Sequence, residues 1–145
     1  MPKQFSLRLL LALVTAACIA LGVWGMRAER QRRAVKAIEA VGGEVYYVSR
    51  EPFLRRCLPR DYLGDVEVVS LSSTRVTDDF LAHLKVLTAL QILHLGSTGI
   101  TDAGMVHLEG LTKLQYLLLP RTRVTKDGVA RLQKALPNCG ILTSL

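Results

Sequence analysis

The sequence predicts an α/β fold. It reads as a solenoid of short parallel strands plus helices, about three 24-residue units long, preceded by an N-terminal transmembrane helix. Three observations predict it. The stretches VEVVSLSSTRVTDDF, LQILHLGSTGITDAG and LQYLLLPRTRVTKDG start at residues 66, 90 and 114 and place apolar residues and threonines in the same columns. The run Leu9–Met26 carries no charge. The segment between the two, 27–65, opens with a cluster of arginines.

Residues 1–8 form a short tail ending in Arg8. LLLALVTAACIALGVWGM (9–26) follows. At 1.5 Å per residue such a run extends about 27 Å as a helix, close to the roughly 30 Å of a bilayer's hydrocarbon core. Arg8 would snorkel outward and Trp24 would sit at an interface. A cleavable signal peptide is the alternative, with MPKQFSLR as its basic region and Ala20-Leu21-Gly22 as a small-residue site. The apolar run exceeds the usual core of roughly 7–15 residues, which favours an uncleaved anchor. Two basic residues precede the run, and five follow it closely: Arg27, Arg30, Arg32, Arg33 and Lys36. The positive-inside rule then predicts a single-pass membrane protein with residues 27–145 on the cytoplasmic side. The same basic flank makes the lipid bilayer an expected partner.

Segment 27–65 reads as a juxtamembrane amphipathic helix, a strand and a capping stretch. Ala34, Val35, Ile38 and Val41 form one apolar stripe on a helix over 28–41. Gly42-Gly43 stops it, and EVYYV (44–48) reads as a strand. The stripe is expected to cover the open end of the stack; dimerisation is the other use for it. Pro52 and Pro59 leave room for a short helix at 53–58.

From 66 to 145 the columns are explicit. Val66, Leu90 and Leu114 align, as do Val69, Leu93 and Leu117, and Leu71, Leu95 and Leu119. Thr74, Thr98 and Thr122 follow, then Val76, Ile100 and Val124, then Thr77, Thr101 and Thr125. LxxLxLxxTxI matches the leucine-rich-repeat formula, whose period is 20–29 residues, with threonine in the Asn/Cys slot. Leu93 and Leu95 are expected on the inner face of a strand. Thr98 is expected to turn the chain inward and satisfy a buried backbone group. Thr77, Thr101 and Thr125 stand where helix N-caps are wanted. Leu81, Leu84 and Leu87, then Met105, Leu108 and Leu111, then Val129, Leu132 and Leu136 mark the buried faces of short helices. LPNCGILTSL (136–145) reads as a truncated fourth strand with Cys139 in a leucine slot.

VTDDFLAHLKVLTALQIL, ITDAGMVHLEGLTKLQYL and LQKALPNCGI resemble the cysteine-containing subclass of leucine-rich repeats, as in F-box substrate-binding solenoids. The whole layout resembles small bacterial membrane-anchored leucine-rich-repeat proteins. The resemblance implies a protein-binding scaffold; with no F-box-like segment it implies no ubiquitin role. Unit one departs at Phe80, where the others have Gly104 and Gly128.

Net charge is +7, but the surplus is concentrated in the arginine cluster rather than spread over the units, which argues against a nucleic-acid partner. Cys18, Cys57 and Cys139 form no disulfide framework and no zinc-ligand spacing; a single Cys57–Cys139 bridge is left open. No catalytic, metal or cofactor motif is present, so a non-enzymatic protein is expected. Strand residues facing away from the core form three columns: Val68–Ile92–Tyr116, Ser70–His94–Leu118 and Ser72–Gly96–Pro120. The first is wholly apolar. Val68, Ser70, Ser72, Ile92, His94, Tyr116 and Leu118 are therefore the expected contact residues for a protein partner on the concave face. Arg75, Arg121 and Arg123 read as solvated loop charges at its rim. The alternatives are a secreted module released by signal cleavage, and a structural envelope protein that uses the same ridge as a homo-oligomer.

Overall fold

The computed structural model of the protein describes residues 7–48 and 65–143. Helix α1 runs Leu7–Ala40 and is followed by strand β1 (Glu44–Val48). Strand β2 (Asp65–Ser70) leads to a 3-10 helix, Asp78–Val86. Then come β3 (Ile92–His94), α2 (Asp102–Met105), β4 (Tyr116–Leu118), α3 (Lys126–Ala135) and β5 (Gly140–Leu142). The expected short helix at 53–58, with Cys57, lies outside the described residues.

The five strands form one sheet in chain order, β1-β2-β3-β4-β5. Strands β2 to β5 are parallel; β1 closes the edge antiparallel to β2. The parallel register matches the 24-residue spacing, with Val68 beside Ile92, Ile92 beside Tyr116 and Tyr116 beside Gly140. On the inner face Val69, Leu93 and Leu117 are fully buried, and Val66, Leu90 and Leu114 nearly so. Leu81, Leu84 and Leu108 reach the same core from the helical side. The pairing of β1 slips by one residue between Tyr46 and Tyr47. That bulge lets Val66 and Val69, three residues apart, both face the core.

Two expectations are corrected here. The transmembrane helix over 9–26 is not an element of its own: those residues are the first part of the 34-residue α1. No helix among the described residues is long and apolar enough to cross a membrane. The single-pass placement, the signal anchor and the cytoplasmic orientation fall with it. The physical reason lies in the second part of α1. It carries Arg27, Arg30, Arg32, Arg33 and Lys36 without a helix break, and it docks on the domain through Ala34, Val35 and Ile38, all buried. The expected basic membrane flank is thus a set of side chains on a docked helix. Arg27 Nη2 donates to Thr88 Oγ1 at 2.9 Å, and Arg33 pairs with Glu29 one turn away at 3.3 Å. Gly43 then tucks between Ile38 and Leu71, where a β-carbon would meet both side chains at under 3 Å.

Nor is the domain a solenoid of equal strand–helix units behind an anchor. It is a small α/β domain with a mixed sheet, and its helical segments differ. Unit one has a nine-residue 3-10 helix. Unit two has only the four residues of α2, continued by i→i+3 bonds such as Leu108 N to Met105 O. Unit three has a ten-residue α-helix. Composition explains the difference. KDGVARLQKA is rich in strong helix formers, whereas DAGMVHLEG holds two glycines and a β-branched valine.

The junction between units is made by an aspartate. Asp78 accepts from Thr101 N through Oδ1 at 2.8 Å and from Thr101 Oγ1 through Oδ2 at 2.6 Å. Asp102 does the same for Thr125, at 2.7 and 2.6 Å. Thr101 and Thr125 were expected as N-caps, and each does accept a bond from its own helix start, from Ala103 N and Gly128 N. Thr77 caps the 3-10 helix without a side-chain bond. The glycines follow from the same junction. A β-carbon on Gly104 would lie 2.5 Å from Asp78 Oδ1, and one on Gly128 would overlap the Asp102 carboxylate. Unit one has Phe80 at the equivalent position, partly buried against the core.

A second column of bonds turns the chain at the strand ends. Thr74, Thr98 and Thr122 donate through Oγ1 to the carbonyls of Leu71, Leu95 and Leu119 at 2.6, 2.6 and 3.0 Å. Thr98 is buried, so its hydroxyl satisfies a carbonyl that water reaches poorly.

Thr125 holds the Asp102 carboxyl below its ordinary 3.8, first through the hydroxyl and then through the backbone N–H, with Arg131 adding to this at 3.7 Å. A carboxylate depressed on folding stabilises the fold above its unfolded pKa and loses that contribution as pH falls through the lower folded value. Urea unfolding followed from pH 6 down to about 2 should show a fall in stability below about pH 4. In Asp102→Asn that fall should be shallower, and the variant should be less stable than the parent at pH 6 by about 1–3 kcal/mol. An unchanged acid limb in the variant would contradict this role.

Candidate functional site: the outer face of the sheet

Alternation along the strands decides which side chains leave the core. Opposite the buried Val69, Leu93 and Leu117 stand Val68, Ile92 and Tyr116, held side by side by the parallel register. Val68 and Ile92 are half-buried and Tyr116 is 52% exposed. The row also extends past the three residues expected from the sequence. Tyr46 pairs with Val68 across the β1–β2 edge and is 54% exposed. Gly140 continues the row on β5. An aliphatic floor therefore runs across the sheet between two exposed tyrosines, and the alternation in EVYYV was the signal that could have placed Tyr46 there.

The second row is Glu44, Ser70, His94, Leu118 and Leu142. Ser70, His94 and Leu118 are half-buried, and Leu142 is an exposed apolar residue. Leu118 and Leu142 widen the apolar surface at the β4–β5 side. In the third row Ser72 is exposed, whereas Gly96 is buried against Pro120. Gly96 thus offers no side chain to a partner. The structure brings Val68, Ser70, Ile92, His94, Tyr116 and Leu118 together on one face, with Ser72 at its margin.

Among the described residues, no acid bonds the His94 ring, which is half-buried on β3. Among the described residues no group of three or more His, Cys, Asp and Glu side chains could hold a metal ion. Cys139 is a free, buried thiol, and burial pushes it above its usual pKa; Cys57 lies outside the described residues. At the β1 edge of the face Tyr46 Oη donates to Glu44 Oε2 at 2.7 Å.

That bond, and the Glu44 charge behind it, raise the Tyr46 phenol above its ordinary 10. Spectrophotometric titration of the phenols should show one group that ionises late, and Glu44→Gln should bring it back toward 10. Identical titration curves for parent and variant would show that the contact does not persist in solution. No protein-family model matches the chain, and no curated protein proves similar to it in sequence.

Proposed function

We propose that the protein is a non-catalytic binding module and that the outer face of its sheet is the surface by which it engages a protein partner. The observation that carries this reading is the continuous apolar row Tyr46–Val68–Ile92–Tyr116, widened by Leu118 and Leu142. An apolar surface of that continuity is uncommon on a face that meets only water. Tyrosines are the right residues at its ends, because each supplies a large contact area with little loss of rotamer freedom on binding. The floor lies on a sheet, a rigid support for a contact surface. The resemblance of the 24-residue units to leucine-rich-repeat binding scaffolds points the same way.

The test replaces Val68, Ile92 and Tyr116 with serine. Val68 and Ile92 are half-buried, so the urea midpoint should fall somewhat while circular dichroism shows the fold retained. Photo-cross-linking from position 92 in the parent should give a protein adduct, whereas a probe at the exposed Val106 on the helical side should not. Partner capture by the triple variant should fall about tenfold or more, which corresponds to about 1.4 kcal/mol. Capture unchanged in a variant that keeps its fold would sink the reading. Sedimentation of the parent distinguishes a foreign partner from a second copy of the chain.

A further inference from the structure

Three arginines stand where the chain leaves the C-terminal ends of β2 and β4. Arg75 follows β2, and Arg121 and Arg123 follow β4; all three are exposed. Other arginines of the domain are engaged: Arg27 with Thr88, Arg33 with Glu29, Arg131 with Asp102. The side chains of Arg75, Arg121 and Arg123 make no ion pair or hydrogen bond within the described residues. The three turns themselves, LSSTRV, LGSTGI and LPRTRV, contain no acid. Glu44, the acid on the β1 part of the face, is taken by Tyr46.

The backbone adds a second observation. Ser73, Ser97 and Arg121 occupy equivalent positions and all have positive φ, at 61°, 57° and 56°. This left-handed conformation is disfavoured for side chains with a β-carbon, and small polar residues tolerate it best. Units one and two place serine there; unit three places the longest cationic side chain. No described residue bonds that guanidinium, so its presence at a disfavoured backbone position points outward. Gly99 stands between Arg75 and Arg123 in the same column, is exposed, and carries no side chain there. Arg75 and Arg123 are thus two strand spacings apart, about 10 Å at the backbone.

We propose that Arg75, Arg121 and Arg123 form a receiving rim for an acidic protein segment, whose carboxylates meet the guanidiniums while its apolar residues lie on the row Val68–Ile92–Tyr116. The proposal rests on the sheet face being the contact surface and names the partner's chemistry. A guanidinium binds a carboxylate through two parallel N–H···O bonds, which fixes direction as well as charge. In an extended chain, acids that face the same side lie two or four residues apart, about 7 or 13 Å, on either side of the spacing of Arg75 and Arg123. The rim lies beyond the strand ends on one side of the apolar row only, past Ser70, His94 and Leu118, so a segment that is apolar at one end and acidic at the other is held in one orientation.

The test selects short random displayed peptides on the immobilised full chain, and repeats the selection on R75Q/R121Q/R123Q and on Ile92→Asp. Circular dichroism checks that each variant keeps its fold. The parent should enrich peptides with Asp or Glu two or four residues apart next to apolar residues. Their affinity should fall about tenfold or more in the triple glutamine variant and with added salt, and should be lost in Ile92→Asp. Neutral or basic peptides from the parent, or acidic peptides that bind the triple variant equally well, would overturn the rim and leave the sheet face standing. Peptides that bind Ile92→Asp as well as the parent would overturn the sheet-face reading as well. An oligothymidylate that binds the parent and is lost in the glutamine variant would assign the rim to nucleic acid and overturn the proposal.

Discussion

Asp102 holds Thr125 with both carboxylate oxygens, one on the backbone N–H and one on the hydroxyl, and Asp78 holds Thr101 in the same way. Each of these carboxylates reaches into the following unit, 23 residues on, and fixes where its helical segment starts. Because that start follows directly from the strand and its turn, the same bonds act with the strand ladders to tie one unit to the next. Hydrogen bonds to a charged acceptor are stronger than neutral ones, and here two act on one residue. Leucine packing alone would leave neighbouring units free to slide, since apolar burial is non-directional.

The aspartate junction also accounts for the order of the units. An aspartate reaches forward from units one and two, at Asp78 and Asp102; unit three has Lys126, which cannot accept these bonds. A glycine receives it in units two and three, at Gly104 and Gly128; unit one has Phe80, partly buried against the core instead. Giving and receiving positions therefore change identity together at the two ends of the series. Where the series begins, β1 and the end of α1 take over. Val45, Tyr47 and Val41 pack against the core, and Ile38 is completely buried beside Leu71. The outer face inherits its regularity from this inner arrangement: Val68, Ile92 and Tyr116 adjoin one another because Val69, Leu93 and Leu117 do.

Much of the sheet was legible in the sequence. Period and alternation were enough to assign Leu93 and Leu95 inward, Ile92 and His94 outward, and Thr98 to a turn, because these positions depend on local geometry alone. The junction was not legible, because it joins residues 23 apart and its members each have a credible local role. Thr101 and Thr125 read as caps, and they are caps as well as junction donors. The glycines looked like helix-start variation, yet their cause is the volume of the preceding unit's aspartate. The apolar run 9–26 misled for a related reason. Hydrophobicity without charge reports only what a segment lacks, whereas the placement of α1 is set by Ala34, Val35 and Ile38 further along the same helix. The 3-10 geometry of unit one and the antiparallel edge strand likewise come from tertiary packing, which no window of neighbouring residues contains.

The measurement that bears most directly on this account is a double-mutant cycle between Asp102 and Gly128. Gly128→Ala alone drives a β-carbon into the Asp102 carboxylate and should cost about 1–3 kcal/mol in urea unfolding. Asp102→Ala alone removes both bonds to Thr125 and should cost a similar amount. With the carboxylate gone the added methyl has room, so the double variant should be markedly more stable than the sum of the two losses implies, with a coupling of about 1 kcal/mol or more. Strictly additive losses would contradict the claim that this aspartate is what requires the glycine and sets one unit upon the next.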